Sequence, residues 1–124
     1  SNMCPTIFSH NGIRTALGAS GGRRIMPAVF QLMSFLTDFG MDLGSAAAQP
    51  RIDVSGGDTL SLDSRLSSEI EKEISKKYSV ERGHHGVYPS LYACPNLVSG
   101  AIGGGPVTGA AFIPSPWAKV SAPG

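Results

Sequence analysis

The sequence has little net charge and no long apolar run, and these two absences exclude several classes of protein. Ten lysines and arginines stand against nine acidic residues among 124 residues, so the formal net charge is only +1. This balance gives no electrostatic basis for binding nucleic acid or an anionic membrane surface, and we expect neither partner. No stretch approaches the roughly 20 apolar residues of a membrane-spanning helix, so membrane insertion is not expected either.

Cysteine and metal-ligand motifs are also scarce. Cys4 and Cys94 are the only two cysteines, so at most one disulfide can form, and the sequence leaves open whether they pair. They indicate no redox compartment. No zinc spacing, phosphate-binding loop or Ser-His-Asp arrangement occurs, and His84-His85 has no third ligand at a suitable spacing. We therefore predict no metal, no cofactor and a solvated loop at His84-His85.

No signal peptide is visible at the start of the sequence. We interpret residues 1–3, Ser1-Asn2 and with them Met3, as a cloning scar, which removes the natural start from view. The native compartment is therefore unknown from the residues themselves.

Glycine, in contrast, is abundant, and its placement predicts turns between short strands. Asn11-Gly12 lies between the β-type runs 6–8 and 14–17, which is the strongest short hairpin signal. Gly56-Gly57 lies between two alternating runs and predicts a second hairpin. Further strands are expected at residues 79–81, 91–98 and 107–113.

Three segments have helical patterns. Residues 25–39 carry no charge before Asp38 and are apolar nearly all round, which predicts a helix buried on more than one side. Gly40 is expected to end it, and Asp42 to cap a short second helix. An amphipathic third helix is expected to begin at Asp63 or Ser64. The patterns together predict an α+β fold in which antiparallel strands pack against the buried helix at 25–39.

The turn before the long helix is the most informative stretch. Gly21 and Gly22 lie where a strand ends and a helix begins, and glycine permits positive φ and close approach of a ligand. Backbone N–H groups at such a turn and at a helix N-terminus can bind an anion or oxyanion. The alternative is a turn needed only for backbone geometry. Arg24 is a candidate for holding a substrate carboxylate, although a structural ion pair is the favoured interpretation.

The segment Gly18-Ala19-Ser20-Gly21-Gly22-Arg23-Arg24-Ile25 resembles the Gly-Ser-Pro-Gly-Gly-Ser-Arg-Ile turn of γ-glutamyltranspeptidases, which are N-terminal-nucleophile (Ntn) hydrolases. Residues 38–43 and Gln49-Pro50-Arg51 resemble that family's Asp-Phe-Gly-Met-Asp/Asn and Ala-Pro-Arg segments. The resemblance covers residues 5–80 and continues more loosely to 116. The sequence departs from the pattern in having Ser20 for proline, Arg23 for a small residue, and Phe112-Ile113-Pro114 where Asp-Pro-Arg is common.

This resemblance implies a partial Ntn-type α/β/β/α sandwich and the C-terminal part of a small subunit. By the same resemblance, Gly21 and Gly22 supply catalytic oxyanion-hole amides, and Gly21, Gly22 and Arg24 contact substrate. The parent enzyme would transfer or hydrolyse γ-glutamyl groups of glutathione-like compounds, using an upstream threonine nucleophile. The implied partners are the rest of the small subunit, the large subunit and a γ-glutamyl small molecule. A periplasmic or extracellular location is suggested by the resemblance alone.

The nucleophile is expected to lie outside this sequence, so we expect the fragment to be inactive and to self-associate through surfaces that its parent covers. Residues 4–113 are interpreted as a single α+β domain and residues 114–124 as a Pro/Ser/Ala-rich tail. A non-catalytic structural or assembly domain and a small-molecule-binding module are the alternatives. Cys4 would become an N-terminal thiol if the scar were removed, but the resemblance aligns it with an internal strand, which argues against catalysis.

Overall fold

The predicted hairpin at Asn11-Gly12 forms the start of the fold. A computed structural model describes residues 3–84, 92–112 and 119–121 of the chain. The elements in chain order are β1 (Thr6–His10), β2 (Ile13–Ser20), a single 3-10 turn (Gly22–Arg24), α1 (Ile25–Thr37), α2 (Leu43–Ala48), β3 (Ile52–Asp53), β4 (Thr59–Asp63), α3 (Ser68–Ser75), β5 (Ser79–Gly83), β6 (Cys94–Ala101) and β7 (Val107–Ala111). This mixture of helices and strands confirms the α+β class.

A four-stranded antiparallel sheet in the order β1-β2-β6-β7 carries most of the core. Leu17 pairs with Leu97 and Leu97 with Ala110, so these three buried side chains lie on one face of the sheet. Helices α1 and α2 pack on that face. The opposite face of the sheet, which we call the outer face, includes Ile7, Ala16 and Val98 in one cross-strand row.

Helix α1 covers the sheet with one side only. Its buried residues are Ile25, Ala28, Val29 and Leu32, whereas Met26 and Phe30 are 70% and 72% exposed. The prediction of burial on more than one side is therefore wrong for the described residues. The helix also ends at Thr37, and Gly40 follows with a φ of 63°, the conformation expected of a glycine that terminates a helix.

A second sheet has the order β3-β4-β5. The β3–β4 pair is antiparallel, which confirms the hairpin predicted at Gly56-Gly57. Strands β4 and β5 are parallel, so the expectation of antiparallel strands is wrong for this pair. The physical reason is the connection, because parallel neighbours need a crossover, and α3 lies between them in the chain.

The helix caps agree with the sequence prediction in one case and differ in the other. The Asp42 side chain accepts a hydrogen bond from Ser45 N at 2.8 Å, which confirms the cap of α2. Helix α3 is capped by Ser67 and not by Asp63 or Ser64. Asp63 is instead fully buried in β4 and hydrogen-bonded to the Arg65 guanidinium.

Met3 and Val120, near the two ends of the described residues, contact the same sheet. Met3 O accepts a hydrogen bond from Ala19 N at 3.0 Å, which ties residue 3 to β2. Val120 lies against Gly109 of β7, where an added Cβ would come within 2.7 Å of its Cγ1 atom. Predicted strand residues Leu91 and Ile113, His85, and most of the predicted tail lie outside the described residues. None of the described helices is long and apolar enough to cross a membrane.

Candidate functional site

The candidate site is the turn between β2 and α1, and its backbone conformation requires glycine. Gly21 has φ 143° and ψ 23°, and Gly22 has φ 63°. Both φ values lie in the region that side-chain-bearing residues rarely adopt. The structure therefore accounts for two consecutive glycines by geometry alone.

The two glycines differ in their surroundings. A Cβ added at Gly21 would lie 2.8 Å from the Cα of Ala93, so the absence of a side chain allows close backbone approach there. A Cβ added at Gly22 would meet no atom within 4 Å, and the residue is exposed. Gly21 is thus a packing position, whereas Gly22 faces open space into which a ligand can enter.

Backbone N–H groups at this turn are available as donors. In residues 3–84, 92–112 and 119–121, neither the Gly21 nor the Gly22 N–H donates a hydrogen bond. Their carbonyls are used, since Arg24 N donates to Gly21 O at 3.4 Å and Ile25 N donates to Gly22 O. Because α1 begins directly after the turn, its N-terminal partial positive charge adds to the two donors. This arrangement suits a small anion or a developing oxyanion.

Arg51 binds the Tyr92-Ala93 segment that packs against Gly21, a role that the sequence did not predict. It is only 1% exposed. Its Nη2 atom donates to the carbonyls of Tyr92 and Ala93 at 3.0 and 3.1 Å, and its Nε atom donates to Tyr92 O at 3.2 Å. Its guanidinium carbon lies 4.8 Å from the centre of the Phe112 ring. Arg51 therefore holds in place the segment on which Gly21 packs.

Arg51 remains positively charged although it is buried. Burial lowers the pKa of Arg51 to about 10, with a further lowering from nearby Arg65. A pKa of about 10 still leaves the side chain protonated at neutral pH. Asp63 lies on the same side of the molecule and raises the pKa of Arg65 through its hydrogen bond. The only sequence signal for Arg51 was its place after Pro50 in the family-like segment.

Arg24 makes the ion pair that its structural interpretation anticipates. Its Nε atom lies 3.3 Å from Oδ2 of Asp53, with the two side chains 38% and 6% exposed. Asp53 also accepts hydrogen bonds from the Ser55 hydroxyl, at 2.8 Å to Oδ1. Arg24 thus helps to neutralise a buried carboxylate beside the turn. Its predicted contact with substrate stays a prediction.

The cysteines do not form a disulfide in this structure. Cys4 and Cys94 both remain as thiols. Cys4 packs against the hydrophobic core, and Cys94 is the cross-strand neighbour of Ser20, beside the turn. No group of three or more His, Cys, Asp or Glu residues in metal-binding proximity occurs in the described parts of the chain.

The sequence matches the family model described as Gamma-glutamyltranspeptidase over residues 1–90. This match includes residues 1–3, which sequence analysis interpreted as a cloning scar. No curated protein matches the chain.

Solved structures of transpeptidases share the fold. The chain is similar to the Bacillus anthracis transpeptidase enzyme CapD, with a TM-score of 0.75, 21% identity, and coverage of 95% of this chain and 70% of that one. The W525D mutant of Gamma-glutamyltranspeptidase from Pseudomonas nitroreducens has a TM-score of 0.75 and 22% identity, with coverage of 100% of this chain and 63% of that one. The T380A mutant of the Helicobacter pylori Gamma-glutamyltranspeptidase has a TM-score of 0.75 and 22% identity, with coverage of 94% of this chain and 61% of that one. At these identities the likeness shows the fold, which is of the α+β Ntn-hydrolase type.

Proposed function

The chain belongs to the γ-glutamyltranspeptidase family, and we propose that it is the C-terminal segment of an enzyme that transfers or hydrolyses γ-glutamyl groups. Glutathione-like compounds are the proposed substrates, and water or an amine is the acceptor. The chain spans 61–70% of the length of the three similar transpeptidase chains. The rest of the enzyme, namely the large subunit and the preceding half of the small subunit, is the proposed partner.

One observation carries this proposal, namely the pair of N–H groups at Gly21 and Gly22 that donate to no group within the described residues. Attack of a nucleophile on the γ-glutamyl carbonyl carbon places negative charge on the carbonyl oxygen. Two backbone donors held by a positive-φ turn stabilise that charge without having to reorient during the reaction. Because the turn faces open space at Gly22, a substrate carbonyl can approach it. We assign Gly21 and Gly22 to the oxyanion hole.

The nucleophile is proposed to come from outside residues 1–124. The family resemblance implies a threonine whose free α-amine acts as the base and whose hydroxyl attacks the substrate. Departure of the cysteinyl-glycine or other amine leaves a γ-glutamyl ester on that hydroxyl, which water or an acceptor amine then cleaves. This chain contributes donors to both tetrahedral intermediates.

Arg24 is the second proposed contact with substrate. Its guanidinium lies beside the turn and is 38% exposed, so it can reach a substrate carboxylate on its open side. Asp53 Oδ2 lies 3.3 Å from the Nε atom of Arg24, which leaves the terminal nitrogens of the planar fork for a second carboxylate. Asp53 then acts as a positioning residue for Arg24.

Replacement of Gly22 in the complete enzyme tests the oxyanion role. Gly22→Val should displace the turn, because a β-branched residue strongly disfavours a φ of 63°. Loss of one oxyanion donor typically lowers turnover by about 10²–10³-fold. We therefore expect kcat to fall by that order while KM changes much less. Steady-state kinetics with a chromogenic γ-glutamyl anilide measures both.

Gly22→Asn is the matched control, and Gly22→Ala is expected to lie between the two. Asparagine tolerates positive φ, and a Cβ at this position meets no atom within 4 Å. Gly22→Asn should thus keep most of the turnover. Thermal midpoints of all three variants show whether folding is affected. Normal kcat in a folded Gly22→Val enzyme would refute the oxyanion role.

A further inference from the structure

A second cleft lies at the end of the four-stranded sheet far from the Gly21-Gly22 turn. It has a volume of about 610 Å³ and lies between the β1–β2 hairpin, the α1–α2 connection and one face of the sheet. Thr15 lies on its floor, six residues before Gly21, a separation of about 20 Å along an extended strand. The proposed γ-glutamyl chemistry does not use this cleft.

The floor of the cleft is a row of hydroxyl groups. Thr15 pairs with Ser99 and Ser99 with Thr108 in adjacent strands, and all three line the cleft. Thr15 is only 4% exposed. Within the described parts of the chain its hydroxyl makes no hydrogen bond. A buried hydroxyl without a partner is costly and uncommon, so this side chain points to a polar group that enters the cleft.

Two carboxylates lie at the rim, and in the described lining no lysine or arginine accompanies them. These carboxylates belong to Asp38 and Asp42. Asp38 accepts from the Ser34 hydroxyl at 2.6 Å, and Asp42 accepts from Ser45 N and from the Ser45 hydroxyl. Each carboxylate keeps free acceptor sites, since it offers about four. Neither carboxylate forms an ion pair with a residue in the described parts of the chain.

The remaining titratable group at the cleft is His10, on the hairpin side. His10 Nε2 lies 3.1 Å from the Asn11 side-chain nitrogen, and both residues are exposed. The Ser45 backbone hydrogen bond, with help from the Ser45 hydroxyl, lowers the pKa of Asp42. Asp42 therefore stays ionised at neutral pH, and the rim of the cleft carries negative charge.

The remaining lining of the cleft is mostly apolar. It includes two aromatic rings and several aliphatic side chains, contributed by Phe8, Ile13, Leu36, Phe39 and Met41. Phe39 is 68% exposed although it makes an edge contact with Phe35, with ring centres 6.4 Å apart. Apolar walls with a few convergent polar groups are the usual composition of a small-molecule site.

We propose that this cleft binds a small organic amine, with a primary ammonium group attached to an apolar body. An ammonium carries three donors and no acceptor. The Thr15 hydroxyl and the two rim carboxylates supply three acceptors, and the aromatic walls accommodate both the apolar body and the positive charge. An anion is disfavoured, because the described lining holds carboxylates and no lysine or arginine to balance them.

The experiment compares 2-phenylethylamine with its neutral analogue 2-phenylethanol. Both are titrated at neutral pH into the ¹⁵N-labelled 124-residue chain, and amide chemical shifts report the site. The amine should shift the signals of Thr15, Asp38 and Ser99, and should bind at least about tenfold more tightly than the alcohol, because its hydrogen bonds to carboxylates are charge-assisted. Weaker binding of the amine at 0.5 M salt is also expected.

A threonine variant and a matched pair of aspartate variants locate the binding groups. Thr15→Val should weaken amine binding about tenfold and leave the thermal midpoint equal or higher, since it removes only an unpaired hydroxyl. Asp38→Asn should weaken binding by a similar factor, whereas Asp58→Asn, an exposed residue outside the cleft, should not. The proposal is overturned if the amine binds no better than the alcohol, if neither binds, or if Thr15→Val leaves the affinity unchanged. Because no readout is catalytic, these outcomes are independent of the γ-glutamyl assay.

Discussion

At the residue scale, the feature that sequence patterns explain least is a set of charged side chains buried inside the fold. Residues 51–54 alternate charged and apolar, and the usual expectation buries the apolar pair. The structure instead buries Arg51 and Asp53 and leaves Val54 48% exposed. Each buried charge has partners, namely backbone carbonyls for Arg51 and Arg24 for Asp53. No local pattern predicts this, because the partners lie as far as 42 residues away along the chain.

The glycine turn, in contrast, was predictable as a turn from the sequence. Two consecutive glycines between a β-type run and an uncharged helical run indicate positive φ, and both glycines have it. The close approach of Ala93 to Gly21 was not predictable. It depends on the pairing of β2 with β6, a contact between distant parts of the chain. Arg51, which orders that segment, was therefore missed.

Replacement of Arg51 by Met tests how much this buried arginine stabilises the fold. The change keeps much of the apolar stem but removes the guanidinium donors to the buried carbonyls of Tyr92 and Ala93. Buried unsatisfied polar groups cost about 1–3 kcal/mol each. We expect the free energy of unfolding to fall by at least about 2 kcal/mol, measured by urea denaturation.

Arg14→Met is the matched control, because Arg14 is exposed on β2 and the same chemical change there should cost less than about 0.5 kcal/mol. Arg51→Lys should also destabilise, since one ammonium cannot replace the planar fork that bonds two carbonyls. Equal stability of Arg51→Met and Arg14→Met would contradict the supporting role.

At the element scale, local signals predicted the hairpins and the first two helices. Asn11-Gly12 and Gly56-Gly57 do mark β1–β2 and β3–β4. Such pairs are adjacent in sequence, so the turn itself specifies the register. The parallel pairing of β4 with β5 has no turn to specify it. It depends on the crossover connection through α3. A sequence pattern predicts that this helix forms, but it does not predict how the helix packs.

The start of α3 gives an element-scale prediction. The Ser67 hydroxyl accepts a hydrogen bond from Ile70 N, so Ser67→Ala should lower the free energy of unfolding by about 1 kcal/mol. Ser64→Ala is the control, since Ser64 was a sequence-predicted cap and its hydroxyl has no hydrogen bond within the described residues. Chemical denaturation of both variants should show loss of stability for Ser67→Ala alone. A larger loss for Ser64→Ala would instead assign the cap to Ser64.

At the scale of the whole molecule, the described helices cover one face of the four-stranded sheet, and on the outer face Val120 contacts Gly109 of β7. The outer face carries a shallow apolar groove of about 750 Å³ whose lining includes Ile7, Ala16 and Val98. Ile7 and Val98 are 72% and 42% exposed. Sheets with both faces apolar pack against a second layer. The similar transpeptidase chains are longer than this one, and their additional length is the proposed source of that layer.

The first whole-molecule prediction concerns activity. If the nucleophile lies outside residues 1–124, the purified chain should not cleave a chromogenic γ-glutamyl anilide above the buffer rate. An oxyanion hole without a nucleophile has no tetrahedral intermediate to stabilise. Cys4→Ala is the control, since Cys4 is a free thiol. Turnover that persists in Cys4→Ala would refute the proposed division of the active site.

The second whole-molecule prediction is self-association of the 124-residue chain through the outer face. Exposed apolar surface of this kind seldom stays uncovered in solution. Light scattering at micromolar concentration should therefore show a dimer or a larger species.

Val98 lies on β6, a central strand of the sheet, and Val98→Lys should give a monomer because it places a charge in the middle of the contact. Met26→Lys, on the exposed side of α1, is the matched control and should still associate. If only Met26→Lys is monomeric, the contact is made by the helix. A monomeric wild-type chain that binds no hydrophobic dye would favour a self-contained domain over a segment of a larger enzyme.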